Sequence, residues 1–299
     1  MVFFGKITFL TVALTPLPTP VRTMTLPSRL HRLESKGLLA RPRPNVYVLG
    51  TVHIGEKSAD EAALLIESVR PRAVIIEVAP SRVAKMRRDN EAGRSPESPP
   101  LNPAADPNVA LLSLPALVER GFAGGGIGGI LFAALILWPS LLKRSFTADE
   151  EANTLPRRNE FAAAVKAADT VGARIIAADL EMDELIGSVS RALSFSEWCK
   201  LAAVSAEEQL GLRMVDPIRR RRGESITDWA DRRRSIDTAR ASRSHGKESS
   251  AAFSRVLVDG RDDRFAENCL VALDSEGEQP VVCVVGLVHL DGVVERLQE

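Results

Sequence analysis

Short apolar runs rich in β-branched residues alternate along the chain with longer segments whose apolar side chains recur at helical spacing. Such runs, closed by a glycine or a polar side chain, are typical of buried strands. Residues 58–69 have helical spacing between the first two runs, and this strand–helix–strand order implies parallel pairing. We therefore predict an α/β fold with a mostly parallel central sheet and flanking helices. The predicted strands are 45–49, 73–78, 173–178 and 280–285, and further helices are predicted at 160–168, 183–206 and 262–273.

The chain divides into a leading segment and one domain. Residues 1–42 are basic and poor in acidic side chains, and we interpret them as a targeting segment or a disordered tail. An organelle transit peptide has this composition, whereas the apolar run 7–14 is typical of a signal-peptide core. The domain predicted over 43–299 contains a proline-rich insertion at 90–109, which is predicted to be a loop or disordered.

The most apolar segment, residues 121–142, carries no charged side chain. About 20 apolar residues can cross a bilayer, and the glycines here suit packing between membrane helices better than a helix in water. A buried core helix is the alternative. The arginine-rich stretch 213–247 indicates a solvated helix face or, alternatively, a surface that binds anionic lipid. We expect the protein to be associated with a membrane.

Composition excludes some functions. The 39 basic and 39 acidic side chains cancel, so the net charge indicates no partner. A single tyrosine and no recognition motif argue against a nucleic-acid partner. Three cysteines without a C-x-x-C pair argue against a disulfide framework and against a cysteine zinc site.

Polar side chains stand at or just after the ends of all four predicted strands. In chain order they are His53, Glu77, Asp179 and His289. Because ligands of open parallel sheets bind at the carboxyl ends of the strands, we expect these side chains to converge on one cleft there.

Two of these side chains belong to nearly identical phrases, V-L-G-T-V-H-I-G and V-V-G-L-V-H-L-D-G. Each places a glycine, Gly50 or Gly286, three residues before its histidine at the carboxyl end of a predicted strand. A glycine there allows a sharp turn and a close approach by another backbone or a bound cofactor. We therefore expect paired G-x-x-H motifs at the strand ends.

Imidazole and carboxylate groups together suit a divalent metal ion of unknown identity. We predict His53, His289 and Glu77 as ligands, and Asp179 as a ligand, an outer-shell partner or a helix cap. Arg261 precedes the last strand and is predicted to hold a substrate carboxylate or to stabilise an oxyanion.

These motifs resemble those of the TraB/PrgY family, which includes the Tiki proteins and is marked by two G-x-x-H motifs and a glutamate after the second strand. The phrases at residues 160–193 and 260–270 are also similar to family segments. The chain departs from the family where Leu180 replaces an arginine and Gly260 replaces a glutamate.

The resemblance implies a membrane-associated, metal-dependent hydrolase of the peptidase type, with a peptide or protein substrate and with Glu77 as ligand or base. A catalytically silent relative that binds or sequesters peptides, or tethers membranes, is the main alternative. A hydrolase that uses histidine and glutamate without metal would share the same residues.

Overall fold

A computed structural model shows a mixed α/β fold whose central sheet is mostly parallel, as predicted. Within the residues described here, five strands pair in the order β1-β2-β5-β3-β4, and only the β1–β2 pair is antiparallel. The strands are β1 Leu39–Arg43, β2 Val46–Thr51, β3 Ala73–Ile76, β4 Arg174–Ala177 and β5 Val281–Gly286. The structure describes residues 26–52, 57–92, 122–123, 125–131, 159–209, 217, 223–276 and 279–299.

Helices cover the sheet and fill the connections between strands. The predicted helix at 183–206 is two helices, because the chain is extended at Leu193 and the Ser194 side chain accepts a hydrogen bond from the backbone of Glu197. The helices are α1 Ser28–Ser35, α2 Lys57–Val69, α3 Pro80–Glu91, α4 Glu160–Val171, α5 Met182–Ala192, α6 Phe195–Gln209, α7 Ile226–Arg233, α8 Ile236–Ser249, α9 Ala251–Ser254, α10 Gly260–Glu276 and α11 Leu287–Gln298, with a π-helical turn Arg255–Asp259 before α10.

The register of the parallel strands aligns their carboxyl ends at one edge of the sheet. Thr51, the last residue of β2, pairs with Gly286, the last residue of β5. On the other side of β5, Ile76 of β3 pairs with both Val284 and Ala177. Strands β2, β3 and β5 are buried along their whole length, which is typical of parallel strands covered on both faces. The chain segments that follow these strands therefore begin close to one another at the carboxyl edge of the sheet.

The fold begins before residue 43, where we had placed the start of the domain. Helix α1 and strand β1 belong to the core, and Leu26, Leu30 and Leu33 are buried at helical spacing. Strand β1 then adds an antiparallel edge to β2. We did not predict these two elements because the basic composition of the segment obscured the helical spacing of its leucines. Residues 1–25 lie outside the described residues, so the targeting segment remains a prediction for them.

The apolar segment is described only in part. Residues 125–131 are helical and pack on α5, where a side chain at Gly125 would lie 2.1 Å from Ser190 Oγ. Leu131 contacts the apolar cluster formed around Ile186 and Val189. No helix in the described part of the chain is long and apolar enough to cross a membrane. The rest of this segment and nearly all of the proline-rich insertion lie outside the described residues.

Candidate functional site

Four polar side chains meet at the carboxyl edge of the sheet. Glu77 directly follows β3, Asp179 lies two residues after β4, and His289 lies in the first turn of α11 after β5. Arg261 reaches the same place from the first turn of α10. His53 lies outside the described residues, and the residue before it, Val52, is buried beside the end of β2. The structure therefore brings together four of the five side chains that the sequence predicted.

The Arg261 guanidinium occupies the centre of this cluster. It donates from Nη2 to Glu77 Oε1 at 2.5 Å, and its Nε and Nη2 donate to the two oxygens of Asp179 at 2.9 and 2.8 Å. Its Nη1 donates to the Leu257 carbonyl at 3.2 Å. The side chains of Arg261, Glu77 and Asp179 are all less than 20% exposed. Arg261 thus compensates two carboxylates of the protein, and its predicted contact with a substrate carboxylate or an oxyanion stays a prediction.

The second oxygen of Glu77 binds the start of α11. Gly286, the N-terminal cap of this helix, donates its backbone N–H to Glu77 Oε2 at 2.5 Å. A carboxylate is favourable at this position because the first N–H groups of a helix lack partners and carry partial positive charge. The two glycines that we had predicted to bind a cofactor both make close contacts within the protein. Gly286 holds Glu77, and Gly50 lets the Leu287 side chain pack against β2.

His289 is buried, with 2% of its side chain exposed, although we had expected it to lie beside an open cleft. Its Nδ1 hydrogen-bonds Asp262 Oδ1 at 2.7 Å, and its Nε2 lies 3.4 Å from Glu77 Oε1 and 3.2 Å from Arg261 Nη1. The Phe265 ring meets the imidazole edge to face at 5.3 Å. The difference arises because α11 begins directly at the strand end and packs its first turn against α10.

The surroundings of His289 favour its charged form. Burial by itself lowers the pKa of this imidazole, but the Glu77 carboxylate and the hydrogen bond to Asp262 more than offset that effect. Arg261 acts in the opposite direction, and the net result raises the pKa of His289 to about 9. In the metal-free protein His289 is therefore an imidazolium at neutral pH, shared between two carboxylates.

This raised pKa predicts that the metal-free protein loses stability as the pH rises above neutral. The folded state binds the His289 proton more tightly than the unfolded state, so the contribution is complete below an unfolded pKa of about 6.5 and disappears as the pH rises through about 9. We expect the free energy of unfolding in urea to fall by as much as about 3 kcal/mol over that window. His289→Gln should remove this fall, and an equal fall in that variant would contradict the assignment.

Two residues of the site were missed by sequence reasoning. Asp262 is fully buried, and its Oδ2 lies 2.7 Å from Nη1 of Arg243 on α8. Asp262 directly follows Arg261 in the sequence, and this adjacency could have indicated that Asp262 lies near the site. Arg243 lies within the arginine-rich stretch, whose arginines we had interpreted as solvated or lipid-binding, and nothing local distinguishes it from them.

Several of the described arginines of that stretch pair with carboxylates of the protein. Arg234 binds both oxygens of Glu61 at 2.7 Å, and this pair is largely buried. Arg232 pairs with Glu224, and Arg240 with Asp291. The Arg234–Glu61 pair connects the turn between α7 and α8 to α2, the Arg240–Asp291 pair connects α8 to α11, and the Arg232–Glu224 pair is local to α7. Residues 218–222, the densest part of the charge, lie outside the described residues.

The donor atoms meet part of what a divalent metal requires. His289 Nε2 and Glu77 Oε1 are 3.4 Å apart, which agrees with the separation of about 3.3 Å between two ligands of a tetrahedral ion with bonds of about 2.0 Å. These two atoms therefore fit adjacent metal ligands in type and spacing. Arg261 Nη2 shares the same Glu77 oxygen. Among the described residues, no group of three or more His, Cys, Asp or Glu side chains is placed to hold a metal ion.

Comparison with known proteins adds no assignment. No protein-family model matches the sequence, and no curated protein matches it. The resemblance to the TraB/PrgY family therefore stays a prediction that depends on the sequence motifs alone.

Proposed function

We propose that the chain is a membrane-associated, metal-dependent hydrolase of the TraB type that acts on peptides. The observation that carries the proposal is the pairing of His289 Nε2 with the Glu77 carboxylate at the carboxyl edge of the sheet. One G-x-x-H motif supplies this histidine, and the strand of the other motif, β2, ends on the neighbouring position through the Thr51–Gly286 pair. Ligands of parallel α/β sheets bind at such an edge.

In this proposal His289 and His53 would hold a divalent ion together with Glu77, and Asp179 would be an outer-shell carboxylate oriented by Arg261. The ion, when bound, supplies a water of lowered pKa. Glu77, whose Oε1 lies 3.4 Å from His289 Nε2, would serve either as a ligand of the ion or as a general base. Arg261 places a fixed positive charge within 3.2 Å of the imidazole, where it would stabilise negative charge that develops on a peptide carbonyl oxygen.

Cleavage of a peptide mixture by the purified full chain tests the proposal. The expected result is hydrolysis that a chelator abolishes and that added Zn²⁺ or Co²⁺ restores. His289→Asn should be inactive under every condition. The enzymatic proposal would be overturned by a wild-type protein that is folded by circular dichroism and cleaves no peptide with either ion.

One observation favours a second candidate, a catalytically silent peptide-binding or membrane-tethering protein. The Arg261 guanidinium already satisfies both Asp179 oxygens and one Glu77 oxygen, and the Gly286 N–H occupies the other. Such a network also suits a role that only maintains the fold. Peptide binding without cleavage, in protein that holds no metal, would favour this candidate.

Membrane association is proposed from the apolar segment, in an organelle if residues 1–25 act as a targeting segment. Phe122 and Ile127 are 65% and 75% exposed, so replacing both with aspartate should leave the fold intact. We expect the double variant to lose binding to lipid vesicles by about tenfold or more, because aspartate in a bilayer costs about 2.5–3.5 kcal/mol. Val271→Asp on α10, 57% exposed, is the matched control and should bind as wild type does. Undiminished sedimentation of the double variant would contradict the proposal.

A further inference from the structure

Asp262 is a fully buried carboxylate that lies between His289 and two arginines. Its Oδ1 accepts a hydrogen bond from His289 Nδ1 at 2.7 Å. Its Oδ2 lies 2.7 Å from Arg243 Nη1 and 3.8 Å from Arg296 Nη1, without an aligned hydrogen bond. A buried charge is tolerated only when it is paired, so Asp262 depends on these neighbours.

Arg243 is itself fixed in place. Its Nη2 donates to Asp259 Oδ1 at 2.6 Å, and its Nη1 donates to the Val288 carbonyl at 3.3 Å. Only 15% of the Arg243 side chain is exposed. The guanidinium therefore connects α8, the π-helical turn and the start of α11, and it holds Asp262 from the side opposite His289.

Gly292 makes room for this arrangement. It lies on α11 three residues after His289, one turn along the same helix. A methyl group at Gly292 would lie 2.0 Å from Asp262 Oδ2 and 2.6 Å from Arg243 Nη1, so any side chain there must displace both groups. The glycine that ends the phrase H-L-D-G is therefore needed because a side chain at this position would clash with Asp262 and Arg243. Neither a turn nor a bound ligand requires it.

We propose that Asp262 is a positioning residue, held by Arg243 and admitted by Gly292, that aims Nε2 of His289 at Glu77. An imidazole that donates from Nδ1 to a carboxylate has its ring orientation fixed and presents Nε2 to the opposite side, as histidine ligands of metal sites do. The opposite side here is the Glu77 carboxylate, 3.4 Å away. The orienting role stands on the metal-free geometry, and its consequence for metal binding rests on the proposed function.

The test compares Gly292→Ala, which displaces the Asp262 carboxylate without removing any charge, with Gly246→Ala on α8. The control places the same methyl group in a helix where the nearest atom outside that helix, Ser254 Oγ, is 4.0 Å away. Asp262→Ala, which removes the carboxylate, is the second variant if Gly292→Ala fails to fold. Two readouts are made on the full chain: exchange of the His289 Nδ1 proton by NMR in the metal-free protein, and Co²⁺ affinity by titration.

We expect a hydrogen-bonded, slowly exchanging Nδ1 proton in wild type and in Gly246→Ala, and its loss in Gly292→Ala and Asp262→Ala. Co²⁺ affinity should fall about 10- to 100-fold in the same two variants. A Nδ1 proton that exchanges freely in wild type overturns the proposal without any variant. So does a folded Gly292→Ala or Asp262→Ala protein that keeps both properties. If wild type binds no Co²⁺, the proposed function fails, and the NMR readout still decides the positioning role.

Discussion

Replacing Arg261 with methionine should destabilise the protein by about 3–5 kcal/mol, because it leaves two largely buried carboxylates without their shared cation. Glu77 and Asp179 have side-chain exposures of 9% and 19%, so water replaces the lost partner only in part. Methionine keeps most of the side-chain volume, so the change is mainly electrostatic. Urea denaturation at neutral pH measures the effect as a shift of the unfolding midpoint at constant slope.

Arg87→Met is the matched control. Arg87 makes a salt bridge of similar geometry to Asp169, at 2.8 Å, but the two side chains are 46% and 44% exposed. Exposed pairs contribute about 0–1 kcal/mol, so this variant should be close to wild type. If Arg261→Met loses no more than about 1 kcal/mol of unfolding free energy, Glu77 and Asp179 do not depend on the Arg261 guanidinium. That result would contradict the assignment of Arg261 as their shared cation.

The second large effect concerns hydrolysis. Glu77→Gln should lower turnover by about 100- to 10 000-fold, because the amide cannot accept a proton or hold a cation as the carboxylate does. His289→Asn should remove activity altogether. Asparagine is preferable to alanine because His289 is buried and its removal would leave a cavity beside an unpaired Asp262.

Turnover and unfolding must be measured on the same samples. Glu77→Gln keeps an oxygen for only one of its two donors, the Gly286 N–H or Arg261 Nη2, and turns an NH2 group towards the other, so a loss of stability of about 1–3 kcal/mol should accompany the loss of turnover. An active Glu77→Gln protein would exclude a catalytic role for this carboxylate. Parallel loss of folding and activity in both variants would instead assign the cluster to stability alone.

The sheet could be predicted because β2, β3 and β5 are continuous apolar runs, which are typical of parallel strands covered on both faces, and β4 contains a shorter run of the same kind. The observed bounds differ from the predicted ones by two residues at most. Strand β1 could not be found in this way. Its sequence, LARPR, has a single buried leucine followed by two exposed arginines, and it pairs along one side only, as an edge strand does.

The site was predictable where a side chain follows a strand, since the sheet itself carries Glu77 and Asp179 to a common edge. The role of Arg261 could not be predicted, because the sequence does not show that its guanidinium binds carboxylates of the protein. Asp262 and Arg243 meet through the packing of α8 on α10 and α11. Contacts between residues so distant along the chain leave no periodic signal in the sequence.

The metal content of the full chain tests the central proposal most directly. The protein is equilibrated with Zn²⁺, desalted and analysed by mass spectrometry for metal per chain. We expect about one tightly bound ion per wild-type chain and less than about a tenth of that in a protein carrying His53→Ala and His289→Asn. A wild-type ratio near zero, equal to that of the double variant in protein shown to be folded, would contradict it.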